Sequence, residues 1–79
     1  MTKEQLGAII KEERVKRDIS QTDLAGILKF RRQAIMEIEK GTTNYGIDNL
    51  LTLLNHLEFD IVLIPKKQKI LFDFSKIKI

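Results

Sequence analysis

The sequence contains no cysteine, no tryptophan and a single proline, and these absences narrow the possible classes of protein. Without cysteine, both a disulfide framework and thiolate chemistry are excluded, which suits a reducing compartment. No apolar run approaches the roughly 20 residues that a membrane-spanning helix needs. The start of the chain also lacks the basic and then apolar order of a signal peptide. We therefore expect a cytoplasmic protein.

Signatures of catalysis are equally scarce. His56 is the one histidine of the chain, and no second metal ligand is expected near it. The chain has no glycine-rich loop that would cradle a phosphate and no convincing pair of carboxylates in a cleft. We predict no enzymatic activity, no metal site and no cofactor.

The length and the charge further restrict the possible classes of protein. At 79 residues the chain makes one domain, near the lower limit for a self-sufficient core. The net charge is +3, but residues 1–58 carry nine basic and nine acidic side chains, so the whole excess lies in residues 59–79. Bulk basicity therefore does not indicate nucleic acid, and only the placement of charges can.

Residues 20–41 predict two short helices joined by a tight turn. Ser20 is a favourable N-cap, and Asp23 follows it at the spacing of a capping box. A turn at Lys29 and Phe30 separates two apolar stripes, and Gly41 suits the left-handed end of the second helix. The stripes are Leu24, Ala25 and Leu28, then Ala34, Ile35 and Ile38. This pattern is typical of a helix-turn-helix, which buries one side and presents the other.

Two further helices and a strand complete the pattern. A first helix over residues 3–17, capped by Thr2, and a fourth over residues 47–57 are predicted. Residues 59–65 are β-branched and aromatic, which predicts a strand, and residues 70–74 a second one. Because a lone hairpin is marginal, we expect a second copy of the chain to pair with it. The expected helix anchors are Leu6, Ile9, Ile10 and Val15, then Ile47, Leu50, Leu51, Leu53, Leu54 and Leu57.

Residues 6–57 resemble the Cro/C1-type (XRE) helix-turn-helix family. The resemblance rests on Ser20 and Gln21 followed by Leu24 and Ala25, and on residues 32–35 followed by residues 38–41. The join from residues 57–58 to residues 59–63 is similar to HipB-type antitoxins. The resemblance implies a mainly α fold: a lambda-repressor-like helix-turn-helix domain of four to five helices over residues 1–58. Residues 59–79 would form a strand or hairpin that pairs across a dimer.

Residue roles follow from the resemblance. Gln21 matches a phosphate-binding position at a helix start. Arg14 and Glu39 match a partly buried ion pair that ties the first helix to the third. The positions of the recognition helix that would face the major groove are Arg31, Arg32, Gln33, Met36 and Glu37. The positions that would contact the DNA backbone are Lys40, Thr43 and Asn44. The strand that would pair across the dimer holds Phe59, Ile61, Val62, Leu63 and Ile64.

Some of these positions allow two interpretations. Met36 could touch a thymine methyl group or simply cover the helix face. Glu37 could accept a hydrogen bond from cytosine N4, or pair with Lys40 three residues later. Lys29 replaces the glycine that the family often has in the turn.

Three functions remain open. The first is a homodimeric repressor, bound to a pseudo-palindromic operator, that is also the antitoxin of a HipA-like kinase and autoregulates its operon. The second is a stand-alone prophage-type or housekeeping regulator without a toxin partner. The third, from another class, is a protein-interaction module that adds its C-terminal strands to the sheet of a partner.

Overall fold

The computed structural model describes residues 1–66, which form four α-helices and no β-strand. In chain order the helices are α1 (Lys3–Lys16), α2 (Gln21–Leu28), α3 (Arg32–Lys40) and α4 (Ile47–His56). The predicted helices over residues 3–17 and 47–57 each end one residue earlier than expected. In this part of the chain no helix is long and apolar enough to cross a membrane.

The first two helices begin with side-chain caps. The Thr2 hydroxyl accepts a hydrogen bond from the Gln5 backbone N–H at 3.1 Å, and the Gln5 side chain accepts one from the Thr2 N–H at 2.9 Å. The Ser20 hydroxyl accepts from the Asp23 N–H at 2.9 Å. Both predicted caps are therefore confirmed, and they satisfy N–H groups that a helix start leaves without partners.

All four helices end in one motif. A residue with φ between 56° and 72° follows each helix, and the next residue donates its N–H to the carbonyl five positions earlier, at 2.8–3.2 Å. This is the Schellman arrangement, which reverses the chain within two residues. The left-handed residues are Asp18, Lys29, Gly41 and Glu58. Lys29 thus adopts the conformation for which the family often uses glycine.

The core lies where the four helices meet. Residues that follow the left-handed positions, among them Ile19, Phe30 and Phe59, pack against it from the side. These contacts are the apolar component of the Schellman motif, so each turn is fixed by the same core that the helices share. The buried apolar residues are Ile10, Leu24, Ala25, Ile35, Ile38, Leu53, Leu54 and Leu57.

The buried face of α1 differs from the predicted one. Ile10 is fully buried, but Ile9 and Val15, both expected as anchors, are 39% and 57% exposed. Gly7 and Arg14 occupy the buried positions instead. They lie three and four residues from Ile10, which places them on its side of the helix, whereas Ile9 and Val15 point away.

The buried face of α4 is also narrower than predicted. Leu53, Leu54 and Leu57 are buried, whereas Ile47 is 63% and Leu51 40% exposed. Ile47 and Leu51 are four residues apart, so they lie next to each other on the outer side of the helix. Residues 1–66 therefore leave Ile47 and Leu51 on α4 uncovered.

Two glycines bring α1 against α3. A Cβ atom at Gly7 would lie 2.6 Å from the Glu39 carbonyl oxygen, closer than real Cβ contacts allow. A Cβ atom at Gly41 would lie 2.6 Å from the Glu4 backbone nitrogen, and Gly41 also has a φ of 72°. The backbones therefore touch at both glycines, and these two contacts fix the position of α1 along α3.

Residues 59–65 do not form the predicted strand in the described part of the chain. A strand requires a partner for its backbone hydrogen bonds, and no partner segment is present in residues 1–66 of one copy. The predicted second strand, residues 70–74, lies outside the described residues. Ile61, Val62 and Leu63 are 48%, 37% and 89% exposed.

Arg17 fixes the point at which this segment leaves the helices. It donates to the Leu57 carbonyl oxygen at 2.7 Å, and its guanidinium carbon lies 5.6 Å from the centre of the Phe59 ring. It also donates to the Glu13 carboxylate at 2.7 Å, which lowers the pKa of that carboxyl group. Arg17 thereby links the end of α1 to the end of α4.

Candidate nucleic-acid interface

The start of α3 presents a cluster of exposed donors. Arg31 is the N-cap of α3 and makes no side-chain cap hydrogen bond, and Arg32 and Gln33 follow in the first turn. All three side chains are exposed, whereas Ile35 and Ile38 on the other side of the helix are buried. Two guanidinium groups at a helix N-terminus oppose the macrodipole, so their placement is unfavourable for the helix alone. They suit contact with an anionic partner.

A buried hydrogen-bond network holds α3 in place. Arg14 in α1 donates through Nε to Glu39 Oε2 at 2.6 Å and through Nη2 to Glu39 Oε1 at 3.1 Å. Its remaining nitrogen, Nη1, donates to the Ile19 carbonyl oxygen at 2.8 Å. The side chains of Arg14 and Glu39 are 9% and 3% exposed. Such a two-pronged pair fixes both distance and orientation between the helices that carry it.

Gln21 joins this network from α2. Its Nε2 donates to Glu39 Oε1 at 3.1 Å, so side chains from α1 and α2 converge on one carboxylate of α3. No buried side-chain nitrogen or oxygen in the described residues lacks a hydrogen-bond partner. The resemblance implied that Gln21 binds phosphate. One of its two N–H donors is engaged by Glu39, so the second donor is the one left for a phosphate oxygen.

Glu37 has a different partner from the one expected. Gln33 Nε2 donates to Glu37 Oε1 at 3.2 Å, one helical turn apart. The salt bridges of the described residues do not include one between Glu37 and Lys40. Both Met36 and Glu37 are half-buried. The Glu37 carboxylate therefore orients the Gln33 amide, which stands among the candidate base-reading residues.

The loop between α3 and α4 carries the other predicted contacts. Lys40 and Asn44 are exposed and Thr43 is half-buried. Lys3, at the start of α1, donates through Nζ to Asn44 Oδ1 at 2.9 Å. Sequence reasoning did not identify Lys3, because 41 residues separate it from Asn44 and no local pattern links the two.

An open depression of about 270 Å³ separates the start of α3 from this loop. Arg31, Thr43 and Asn44 line it with polar groups, and Phe30 and Tyr45 form part of its apolar lining. Partial burial raises the pKa of the Tyr45 phenol above its ordinary value. The depression therefore places the recognition helix and the loop residues on one side of the molecule.

In the described residues, no group of three or more His, Asp or Glu side chains is arranged to hold a metal ion. His56 is exposed at the end of α4. The interface is thus built from arginine, lysine and amide donors, the groups with which proteins bind phosphates and base edges.

Comparison with known proteins agrees with this chemistry. A helix-turn-helix family model matches residues 10–64. The chain is also similar to the solved structure of the restriction-modification controller protein C.AhdI from Aeromonas hydrophila, with a TM-score of 0.69 and 26% sequence identity. That similarity covers 73% of this chain and 88% of the controller protein. No curated protein matches the chain. Together the comparisons support a DNA-binding transcriptional regulator.

Proposed function

The chain belongs to the helix-turn-helix family, and on that premise we propose that it is a homodimeric repressor that recognises a specific operator through α3. One observation carries the proposal. The first residues of α3 expose Arg31, Arg32 and Gln33, while the Arg14–Glu39 pair anchors the same helix to α1. A rigid helix that presents donors at its N-terminal end is how helix-turn-helix proteins contact bases.

The exposed donors suit particular base edges. Each guanidinium group of Arg31 and Arg32 can donate two hydrogen bonds to O6 and N7 of guanine, which adds about 1–3 kcal/mol of discrimination per contact. Gln33 can donate to N7 and accept from N6 of adenine. Because Glu37 already holds the Gln33 amide at 3.2 Å, the orientation of that amide is set before DNA binds.

The dimer is supported by apolar side chains that residues 1–66 leave uncovered. Ile47 and Leu51 on α4, with Ile61 and Leu63 after it, expose apolar side chains. We assign this surface to a second copy related by a two-fold axis, because a symmetric contact buries the same residues twice. Two α3 helices would then enter major grooves about one turn, roughly 34 Å, apart on a pseudo-palindromic operator.

The test measures binding to the duplex immediately upstream of the coding sequence and to a random duplex of equal length. Arg31→Ala and Arg32→Ala should each weaken binding to the upstream duplex by about tenfold or more, because each loses a contact of 1–3 kcal/mol. Their preference over random DNA should fall as well. Lys16→Ala is the matched control, since it removes one positive charge from a side chain paired with Glu12 and Glu13 on α1.

Two outcomes would contradict the proposal. A wild-type protein that binds both duplexes equally would not be a sequence-specific repressor. If the arginine variants lose no more affinity than Lys16→Ala, the residues that contact the bases do not lie at the start of α3.

The regulated genes distinguish a stand-alone regulator from an antitoxin. The antitoxin hypothesis depended on a strand at residues 59–65, and the described residues do not form it. The similarity to a restriction-modification controller protein favours a regulator without a toxin partner. An adjacent restriction and methylation gene pair would support a controller, whereas an adjacent kinase-like reading frame would restore the antitoxin hypothesis.

A protein-interaction module that adds strands to a partner is the remaining alternative. It predicts that the two arginine substitutions leave function intact and that substitutions at Ile61 or Leu63 abolish it. The family match and the exposed donors of α3 favour DNA binding instead.

A further inference from the structure

The contact between Lys3 and Asn44 joins the start of α1 to the loop after α3. Lys3 Nζ donates to Asn44 Oδ1 at 2.9 Å, and both side chains are exposed. None of the salt bridges in the described residues joins Lys3 to a carboxylate. An ammonium group has three N–H donors, so two remain beyond the one given to Asn44.

The contact stands on the same side of the molecule as the recognition helix. Asn44 and Arg31 line the same open depression, together with Thr43. The start of α1 reaches this side because Gly41 has no side chain, and the Glu4 backbone occupies the space that a Cβ atom would need. Lys3 is thus held beside the DNA-facing loop by the packing of α1 on the end of α3.

The chemistry of the contact suits a phosphate group. Asn44 uses its side-chain oxygen to accept from Lys3, so its Nδ2 still offers two N–H donors. Lys3 adds its charge and its free donors beside them. Several N–H groups next to a positive charge match a backbone phosphate oxygen, and charge-assisted hydrogen bonds of this type are about twice as strong as neutral ones.

We propose that Lys3 and Asn44 form a phosphate clamp, which extends the DNA interface from α3 and its loop to the start of α1. The inference rests on the proposed function, because it assumes that α3 faces DNA. Lys3 binds phosphate directly and also positions Asn44, whereas the base-reading residues lie on α3. The clamp therefore contributes affinity on any sequence and adds no base specificity of its own.

The first test is a salt series with the upstream duplex and with a random duplex. Lys3→Ala should weaken binding to both duplexes by a similar factor and should reduce the slope of log affinity against log salt by about 1. Lys3→Arg should retain the wild-type slope. Lys16→Ala changes the net charge by the same amount and is the control. Lys16 lies two residues from the buried Arg14, and therefore on the opposite side of α1, so this variant should leave the slope unchanged.

The second test separates the amide donors from the acceptor. Asn44→Asp keeps an oxygen for Lys3, but replaces the NH2 donors with a charge that repels phosphate, so it should bind DNA more weakly than Asn44→Ala. Both side chains are exposed, so the thermal midpoint of each variant should stay near that of the wild type.

Either of two results would overturn the clamp: a wild-type salt slope in Lys3→Ala, or binding by Asn44→Asp as tight as that of the wild type. A failure of the clamp can be distinguished from a failure of the proposed function. A wild-type protein without preference for the upstream duplex refutes the sequence-specific repressor, yet the clamp stands if Lys3→Ala still lowers the slope on both duplexes.

Discussion

The contact between α1 and α3 and the outer surface of α4 differ in how far residues 1–66 bury them. At the α1–α3 contact, backbone meets backbone at Gly7, and the buried Arg14 and Glu39 side chains are fully hydrogen-bonded. On the outer surface of α4, Ile47 and Leu51 are 63% and 40% exposed. Within residues 1–66 the first region is a finished interior, whereas the second exposes apolar side chains, which the proposed dimer would cover with a second copy.

The difference shows how the chain divides its tasks. The α1–α3 contact determines the orientation of α3, so any change there should alter stability first and DNA binding as a consequence. Changes on the outer surface of α4 should leave the fold intact and alter association. Substitutions should therefore perturb stability and association separately.

The largest effect is expected from Glu39→Ala. The substitution leaves the Arg14 guanidinium buried without its carboxylate and removes the partner of the Gln21 amide. Breaking a buried pair in this way costs about 3–5 kcal/mol in the free energy of unfolding. Urea unfolding followed by circular dichroism measures the loss.

Two further variants serve as controls for that measurement. Glu12→Ala removes an exposed carboxylate that pairs with Lys16, and should change the free energy of unfolding by less than about 1 kcal/mol. Glu39→Gln keeps an acceptor for Arg14, should lose less than Glu39→Ala, and remains measurable if the alanine variant does not fold. A loss below about 1 kcal/mol in Glu39→Ala would show that the pair does not stabilise the fold.

A second effect is expected from Gly7→Ala. The new Cβ atom would lie 2.6 Å from the Glu39 carbonyl oxygen, so α1 must move away from α3. Overpacking of this kind costs about 1–3 kcal/mol. The matched control is Gly26→Ala, in α2, where no atom lies within 4 Å of the new Cβ. Because alanine favours a helix over glycine, that control should gain about 0.5–1 kcal/mol. Equal effects of the two substitutions on thermal unfolding would contradict the tight α1–α3 contact.

The smallest effect on stability, and the largest on association, is expected from Ile47→Asp and Ile61→Asp. Both side chains are already exposed, so the thermal midpoint should change little. If these residues lie in the proposed dimer interface, a carboxylate there should raise the dimer dissociation constant by about tenfold or more, as analytical ultracentrifugation would show.

Val15→Asp is the control for this pair, because Val15 is similarly exposed on α1. It should leave the dimer unchanged. If the wild-type protein is a monomer at all concentrations, or if all three variants dissociate alike, the outer surface of α4 is not the dimer interface.

Much of the helical frame could be predicted because its signals are local. Thr2 and Ser20 cap helices through residues three positions away, and Asp18 and Gly41 adopt the left-handed conformation expected of them. Such interactions join residues that lie close together in the sequence, so a pattern of residue types is enough to identify them.

The buried faces were harder to predict. Both Ile9 and Ile10 are apolar neighbours in α1, yet Ile10 alone is buried, because the packing of α3 against Gly7 sets the rotation of the helix. The same applies to α4, where Ile47 and Leu51 face outward. An apolar residue at the edge of the buried face of a helix can be either buried or exposed. The packing of the neighbouring helix decides between the two.

The sequence by itself determined four helices with their bounds to within one residue, and the exposed donors at the start of α3. Caps, apolar spacing and turn residues act within a few positions, and so they are readable from the chain alone. The tertiary structure decided that Gln21 joins Arg14 on one carboxylate and that Lys3 reaches Asn44. These contacts join distant segments, and the close approach of backbones at Gly7 and Gly41 brings α1 to the segments it contacts.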